Sequence, residues 1–374
     1  MPEGIRVAVD AAPVAGAGSA APKSASKRIP TLDGLRAVSI TLVLLNHLVG
    51  TRYYPARLDF FGNFGNFGVR VFFVISGYLI TSLLLKEREK TGDISLKNFY
   101  MRRVFRIFPA AYTYIAVIAI LDARYHILHP RDLLFALTYL TNFHLNRAWY
   151  VGHLWSLAVE EQFYMLWPMV VVFWGTKRSS RVALATILLS PAARVASWYA
   201  LPLMRERIGE MFFTVADPIA FGCLLAIERR WLWQQRWYVA VMNSRLFFLI
   251  PIAAMALRFT GNHPMIHYVI AQPLMNLGIV LTLDWCMSHA TSTVGRLLDW
   301  RPVATLGTLS YSLYLWQTVF LNHFLRAPWT AFPVNVLLAL AAAVASYKLI
   351  EQPFLKLKDM LQAKTQTSLA PETA

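Results

Sequence analysis

About ten apolar windows, each roughly 17 to 25 residues long, follow one another through this chain: 32–50, 65–85, 104–121, 155–174, 182–200, 211–228, 237–257, 265–287, 304–325 and 331–350. That length is what a helix needs to cross the hydrocarbon of a bilayer. The expected fold class is therefore all-α, a polytopic membrane helix bundle of about ten transmembrane helices. Hydrophobic residues make up 57% of the chain against 15% charged, with mean hydropathy +0.45, which excludes a soluble enzyme. The net charge of +16 does not point to nucleic acid, because the basic residues are dispersed between the windows; membrane lipids explain them.

An even number of spans puts both termini on one side. If the tails and the connections 86–103, 175–181, 229–236 and 288–303 face the cytoplasm, they hold roughly 24 of the 36 basic residues, an N-in/C-in arrangement by the positive-inside rule. The location that follows is an integral, multi-pass protein of the plasma (inner) membrane. Residues 1–28, rich in Ala, Gly, Pro and Ser, read as a disordered cytoplasmic tail with no apolar core for a cleaved signal; 29–358 read as the transmembrane domain and 359–374 as a second disordered tail. The two cysteines, Cys223 and Cys286, have neither CxxC nor zinc-ligand spacing, and no metal is expected.

Ionisable residues inside a span are functional candidates, since hydrocarbon penalises them. In the first window Arg36 and His47 lie eleven residues apart, so a helix puts them on one face and about 16 Å apart along its axis. Taken alone, a positive-inside anchor and an interhelical hydrogen bond would account for them. The second window adds Arg70, near the outer end of its helix, where snorkelling is the bland explanation. At the entry of the third, Arg103 and Arg106 are three apart and project from neighbouring positions as forks suited to phosphate oxygens. The fourth carries His153, Ser156, Glu160 and Tyr164 at spacings of three, four and four, one polar stripe on an apolar helix, with Glu161 turned off it. His47 and Glu160, entering from opposite sides to similar depths, are expected to meet as an acid/base pair, a structural Glu–Arg pair being the competing reading. Trp155, beside that stripe, and Tyr311, with Ser310, Tyr314 and Gln317 in the ninth window, are expected to wall the cavity.

Together these residues resemble the acyltransferase-3 family of membrane acyltransferases from Ile29 to about Leu357. Arg36 and His47 match its Arg/Lys, ten residues, then His; Phe99, Arg103, Arg106, Ile107 and Pro109 match FxxxRxxRIxP; Ser76–Leu79, including Tyr78, match SGYL; Trp155–Tyr164 match its WSLxVEEQFY segment. The resemblance implies transfer of an acyl group, most often acetyl from acetyl-CoA, to a hydroxyl of a carbohydrate or small-molecule acceptor. His47 would be catalytic and the arginines essential, with acyl-CoA as co-substrate and no tightly bound cofactor. Two positions depart from it: Arg70 stands where many relatives carry Asp, and Gln317 where many carry His.

The mechanism expected from these residues has Arg36, Arg103 and Arg106 on the CoA phosphates and His47, assisted by Glu160, as base, with an acyl-histidine as the alternative. Arg70, Ser76, Tyr78, His153, Trp155, Tyr164 and Tyr311 are expected around the substrates. The rival reading is a secondary transporter with a His47, Glu160, Arg70 relay, against which stands the absence of an internal repeat. A small metabolite such as a macrolide is an alternative acceptor.

Overall fold

The structure, a computed structural model, describes residues 30–367. The tail expected at 1–28 lies outside the described residues, and the boundary expected at 358 falls inside the last helix, which runs to Thr367. Among the described residues there is no strand. The longer helices are α1 (Pro30–Leu48), α2 (Gly65–Thr91), α3 (Leu96–Tyr125), α4 (Leu154–Ala200), α5 (Asp217–Leu232), α6 (Leu249–Ala256), α7 (Gln272–Ser288), α8 (Arg301–Phe320), α9 (Val334–Ser346) and α10 (Gln352–Thr367). α4 is two helices in one: Gly175, at φ 72° and ψ 170°, breaks it between the fourth and fifth windows.

Local chemistry sets the ends. Pro30 opens α1, where its missing N–H costs nothing, and Asp33 sits in the positively polarised first turn. Gly92, at φ 80°, ends α2 in a left-handed conformation that a side chain would strain, and three residues on the Ser95 hydroxyl accepts from Asn98 N to start α3.

Five helical stretches are long and apolar enough to cross a membrane: Ala56–Thr91, Leu96–Tyr125, Trp149–Ala200, Pro264–Ser288 and Val334–Leu361. A sixth is counted if Arg236–Met242 and Arg245–Gly261, bent by 67°, form one span. The expected ten is not reached by length and apolarity, for a physical reason. Trp149–Ala200 counts once although Gly175 divides it between two windows, α5 has only 16 residues, and α1 and α8 spend turns on Asp33, Arg36, Asn46, His47 and Ser310, which line polar cavities, and on the buried Gln317. The apolar side chains left exposed, such as Ile120, Phe173 and Leu188, form an outer surface suited to acyl chains.

α1 lies at the centre, packed between α2 and α8, and α2 packs along α5. The α2–α5 crossing is close because glycines face it from both sides. A methyl group on Gly77 would meet the Ile219 carbonyl and one on Gly222 the Val74 carbonyl, so backbones touch where lipid offers no hydrophobic drive for association. The same crossing region carries a buried ionic network. Arg194 and Asp217 pair at 3.0 Å with no exposure of either side chain, Asn276 donates to Asp217 at 2.9 Å, and Arg70 donates to Asn276 and Asn66, each at 3.1 Å.

Candidate active site

Two separate cavities lie against the α1 face that carries Arg36 and His47. The first, of about 510 Å³, is basic on one side: Arg36 from α1, Lys86 from α2, and Arg103 and Arg106 from α3 line it. Three carboxylates, Asp33, Glu160 and Glu351, line it too. The second, of about 740 Å³, holds His47 and His153 with Trp149, Tyr150, Trp155 and the Arg147–Glu210 ion pair.

In the arginine cavity, the FxxxRxxR spacing sets Arg103 and Arg106 on one side of α3. The Arg103 guanidinium lies over the Tyr164 ring at 5.2 Å and the Phe99 ring at 5.7 Å, which holds its plane while leaving its N–H edges for a ligand. Arg106 is exposed to the cavity and makes no hydrogen bond, ion pair or ring contact among the described residues. Arg36 reaches Asp33 at 3.9 Å, and its buried Nε has no partner. Ser76 donates to Glu160 at 2.6 Å and accepts from Tyr164 at 3.1 Å, so Ser76, Glu160 and Tyr164 form one hydrogen-bonded group in the field of the three arginines. Tyr78 and Tyr311 also line this cavity, the latter donating to the Ile107 carbonyl at 2.7 Å. Glu161 lines neither cavity.

In the histidine cavity, His47 is fixed on two sides. Its Nδ1 faces Gln317 Oε1 at 3.2 Å, and Trp149 meets its ring edge-on at 5.4 Å, itself held by an Nε1 hydrogen bond to the Thr318 carbonyl at 2.8 Å. A carboxamide can either accept from or donate to Nδ1; with Oε1 opposite, Nδ1 carries the proton and Nε2 keeps the lone pair, the tautomer a general base needs, while Gln317 Nε2 is buried without a partner. His153 lies across the same cavity, its Nδ1 3.4 Å from Thr318 Oγ1 and its buried Nε2 without a partner. The loop before α4 is shaped by Asp132, which accepts from His129 N and Ala148 N and lies 3.0 Å from His144 Nε2.

Two expectations from the sequence need correction. His47 and Glu160 make no contact: each has its own partners, in its own cavity, because the stripe on α4 runs from one cavity into the other, with His153 in one and Ser156, Glu160 and Tyr164 in the other. Arg70 lines neither cavity; it is 2% exposed and belongs to the network with Asn276 and Asp217. The carboxamides of Asn66 and Asn276 accept from its guanidinium and hold it in that network. The His47, Glu160, Arg70 relay required by a transporter is therefore not assembled.

Sequence reasoning passed over Gln317 as a holder of His47, and also Lys86, Tyr347 and Glu351. Tyr347–Glu351 is a π-helical turn, whose extra residue turns Glu351 toward the arginine cavity, where it accepts a hydrogen bond from Ser312; nothing in the local pattern announces it. Gln317 was signalled only by its polarity inside an apolar helix. If His47 is the base that the sequence leads one to expect, Gln317→Ala lowers turnover about tenfold, the order of one lost buried hydrogen bond, with substrate KM unchanged. Gln317→His, which restores a ring nitrogen opposite Nδ1, is expected to recover most of it. Among the described residues no group of His, Cys, Asp and Glu is arranged to hold a metal ion.

A family profile described as an acyltransferase domain matches residues 29–348. The chain is 30% identical to the putative peptidoglycan O-acetyltransferase YrhL of Bacillus subtilis (strain 168), over 77% of this chain and 48% of that protein. It is 28% identical to the O-acetyltransferase OatA of Staphylococcus aureus (strain NCTC 8325 / PS 47), over 88% of this chain and 57% of that one. Identity to the peptidoglycan O-acetyltransferase OatA of Listeria monocytogenes is 27%, with 88% and 56% covered. The chain thus spans about half the length of the curated relatives it matches. No solved structure gives a significant match.

Proposed function

The chain belongs to the acyltransferase-3 family, and on that premise we propose that it moves an acyl group, acetyl first, from cytoplasmic acyl-CoA to a hydroxyl of a cell-envelope carbohydrate. The observation that carries this reading is the division of labour along α1: a cluster of cations at Arg36 and an oriented imidazole at His47, about 16 Å further along the helix. An extended pantetheine arm has a comparable reach. In this reading the helices make about ten crossings, N-in/C-in, in the plasma membrane, so that the arginine cavity opens toward the cytoplasm and the histidine cavity toward the outside.

The CoA phosphates then lie against Arg103, Arg106 and Arg36, with Lys86 at the entrance, since guanidinium forks and an ammonium offer the charge-assisted donors that phosphates require. Glu160 holds the group of Ser76 and Tyr164 in place and balances the arginines. His47 Nε2 takes the proton of an acceptor hydroxyl, the alkoxide oxygen attacks the thioester carbonyl, the C–S bond breaks and CoA leaves as thiolate. In the two-step variant Nε2 itself attacks and carries the acyl group before the acceptor arrives. Aromatic faces at Trp149, Tyr150 and Trp155 suit a sugar ring, and the named activities of the relatives favour peptidoglycan as the acceptor.

The test uses purified protein with acetyl-CoA and soluble peptidoglycan fragments. Free CoA and a fragment heavier by one acetyl group are the expected products. Intact acetyl-CoA in the presence of folded protein and acceptor contradicts the reading.

A further inference from the structure

The two cavities share two lining residues, Val69 on α2 and Tyr314 on α8. Around them the wall is built from both sides. Phe73, one helical turn beyond Val69, lines the arginine cavity and meets Trp155, which lines the histidine cavity, edge-on at 6.0 Å. Tyr314 is pinned: its hydroxyl donates to the His153 carbonyl at 2.8 Å and lies 2.5 Å from Ser156 Oγ. Val69 is 8% exposed and has only two methyl groups to present, so it is the small, unpinned side of the partition. The arginines lie on one side of this wall and His47 on the other.

We infer that the Val69–Tyr314 partition is the aperture through which the acyl end of the thioester reaches His47, and that it selects acyl groups by girth rather than by length. The inference rests on the proposed CoA-dependent transfer. If the phosphates stay in the arginine cavity, the acyl carbonyl must stand at this wall and the chain beyond it must project into the larger cavity. A linear chain of any length presents the cross-section of one methylene to such an opening. A branch beside the carbonyl doubles that width against a wall whose other side is fixed by two hydrogen bonds. Interior packing tolerates little added volume at such a point.

The test compares n-butyryl-CoA with isobutyryl-CoA, isomers of equal volume, by free CoA release with soluble peptidoglycan fragments as acceptor. The wild type is expected to use the linear isomer at least about tenfold faster, the discrimination that one misplaced methyl group commonly yields. Val69→Ala should shift the isobutyryl to n-butyryl ratio upward about tenfold and Val69→Ile should shift it downward. Both changes are conservative, and folding is checked by monodisperse elution and retained CoA binding. A wild type that uses both isomers equally overturns the inference whatever the variants do, and so does an unchanged ratio in folded variants. A wild type that releases CoA from no acyl-CoA overturns the transfer reading and takes this inference with it, so the two failures are told apart.

Discussion

His47→Ala is expected to lower acyl transfer by about 10²–10⁴-fold, the range a positioned general base commonly contributes, while CoA still binds. The expectation follows from placement. His47 lines the cavity opposite to the arginines, its partners are Gln317 and Trp149, and neither of these touches Arg36, Arg103 or Arg106. On the proposed reading, removing the imidazole therefore removes chemistry without disturbing the arginine cavity. Steady-state turnover and equilibrium CoA binding, measured on the same folded preparation, separate the two. A variant that turns over as the wild type does, or one that loses CoA binding in step with turnover, contradicts the assignment.

Arg106→Ala is expected to weaken CoA binding about tenfold or more, since a charge-assisted hydrogen bond to phosphate contributes about 1.5–3 kcal/mol. Arg106 is the cleaner probe because it makes no hydrogen bond or ring contact among the described residues, so its loss breaks no direct contact and removes only one of the cations whose field reaches Glu160 and Glu351. Arg103→Ala should weaken binding by a similar factor, but it also uncovers the Tyr164 and Phe99 rings. Raised salt should weaken wild-type binding and narrow the gap between wild type and variant, as screening of a charged contact requires. Unchanged affinity in Arg106→Ala removes the arginines from the phosphate role.

Much of the architecture was legible because its signals are local. Apolar windows predict helices, and most of each window is helical, although 237–257 is broken at Asn243–Ser244 with a 67° bend and 211–228 at Ala216. Spacings of three and four predict shared faces, and Arg103 with Arg106, or Ser156 with Glu160 and Tyr164, do line one cavity. What the sequence could not convey is which face meets which. His47 and Glu160 have matching depths on their helices, and depth alone suggested a pair. The close approach of α1 to α8 instead gives His47 to Gln317, and that of α2 to α4 gives Glu160 to Ser76. Arg70 shows the same limit. Its partner Asn276 lies 206 residues away, and no pattern near Arg70 announces it. The departure at Gln317 becomes intelligible in the fold, since a carboxamide oxygen can occupy the position opposite Nδ1 that an imidazole nitrogen would take.

The central claim is that one α1 face joins a CoA grip at Arg36 to a reaction centre at His47 across a narrow wall. A cryo-EM map of the wild-type protein with a CoA thioether analogue of acetyl-CoA, which cannot transfer its acyl end, tests it most directly. The account predicts phosphate density against Arg103 and Arg106 in the arginine cavity, with the thioether at Val69 and Tyr314 and its acyl end facing His47 Nε2. Phosphates in the histidine cavity, or an acyl end turned away from His47, would contradict it.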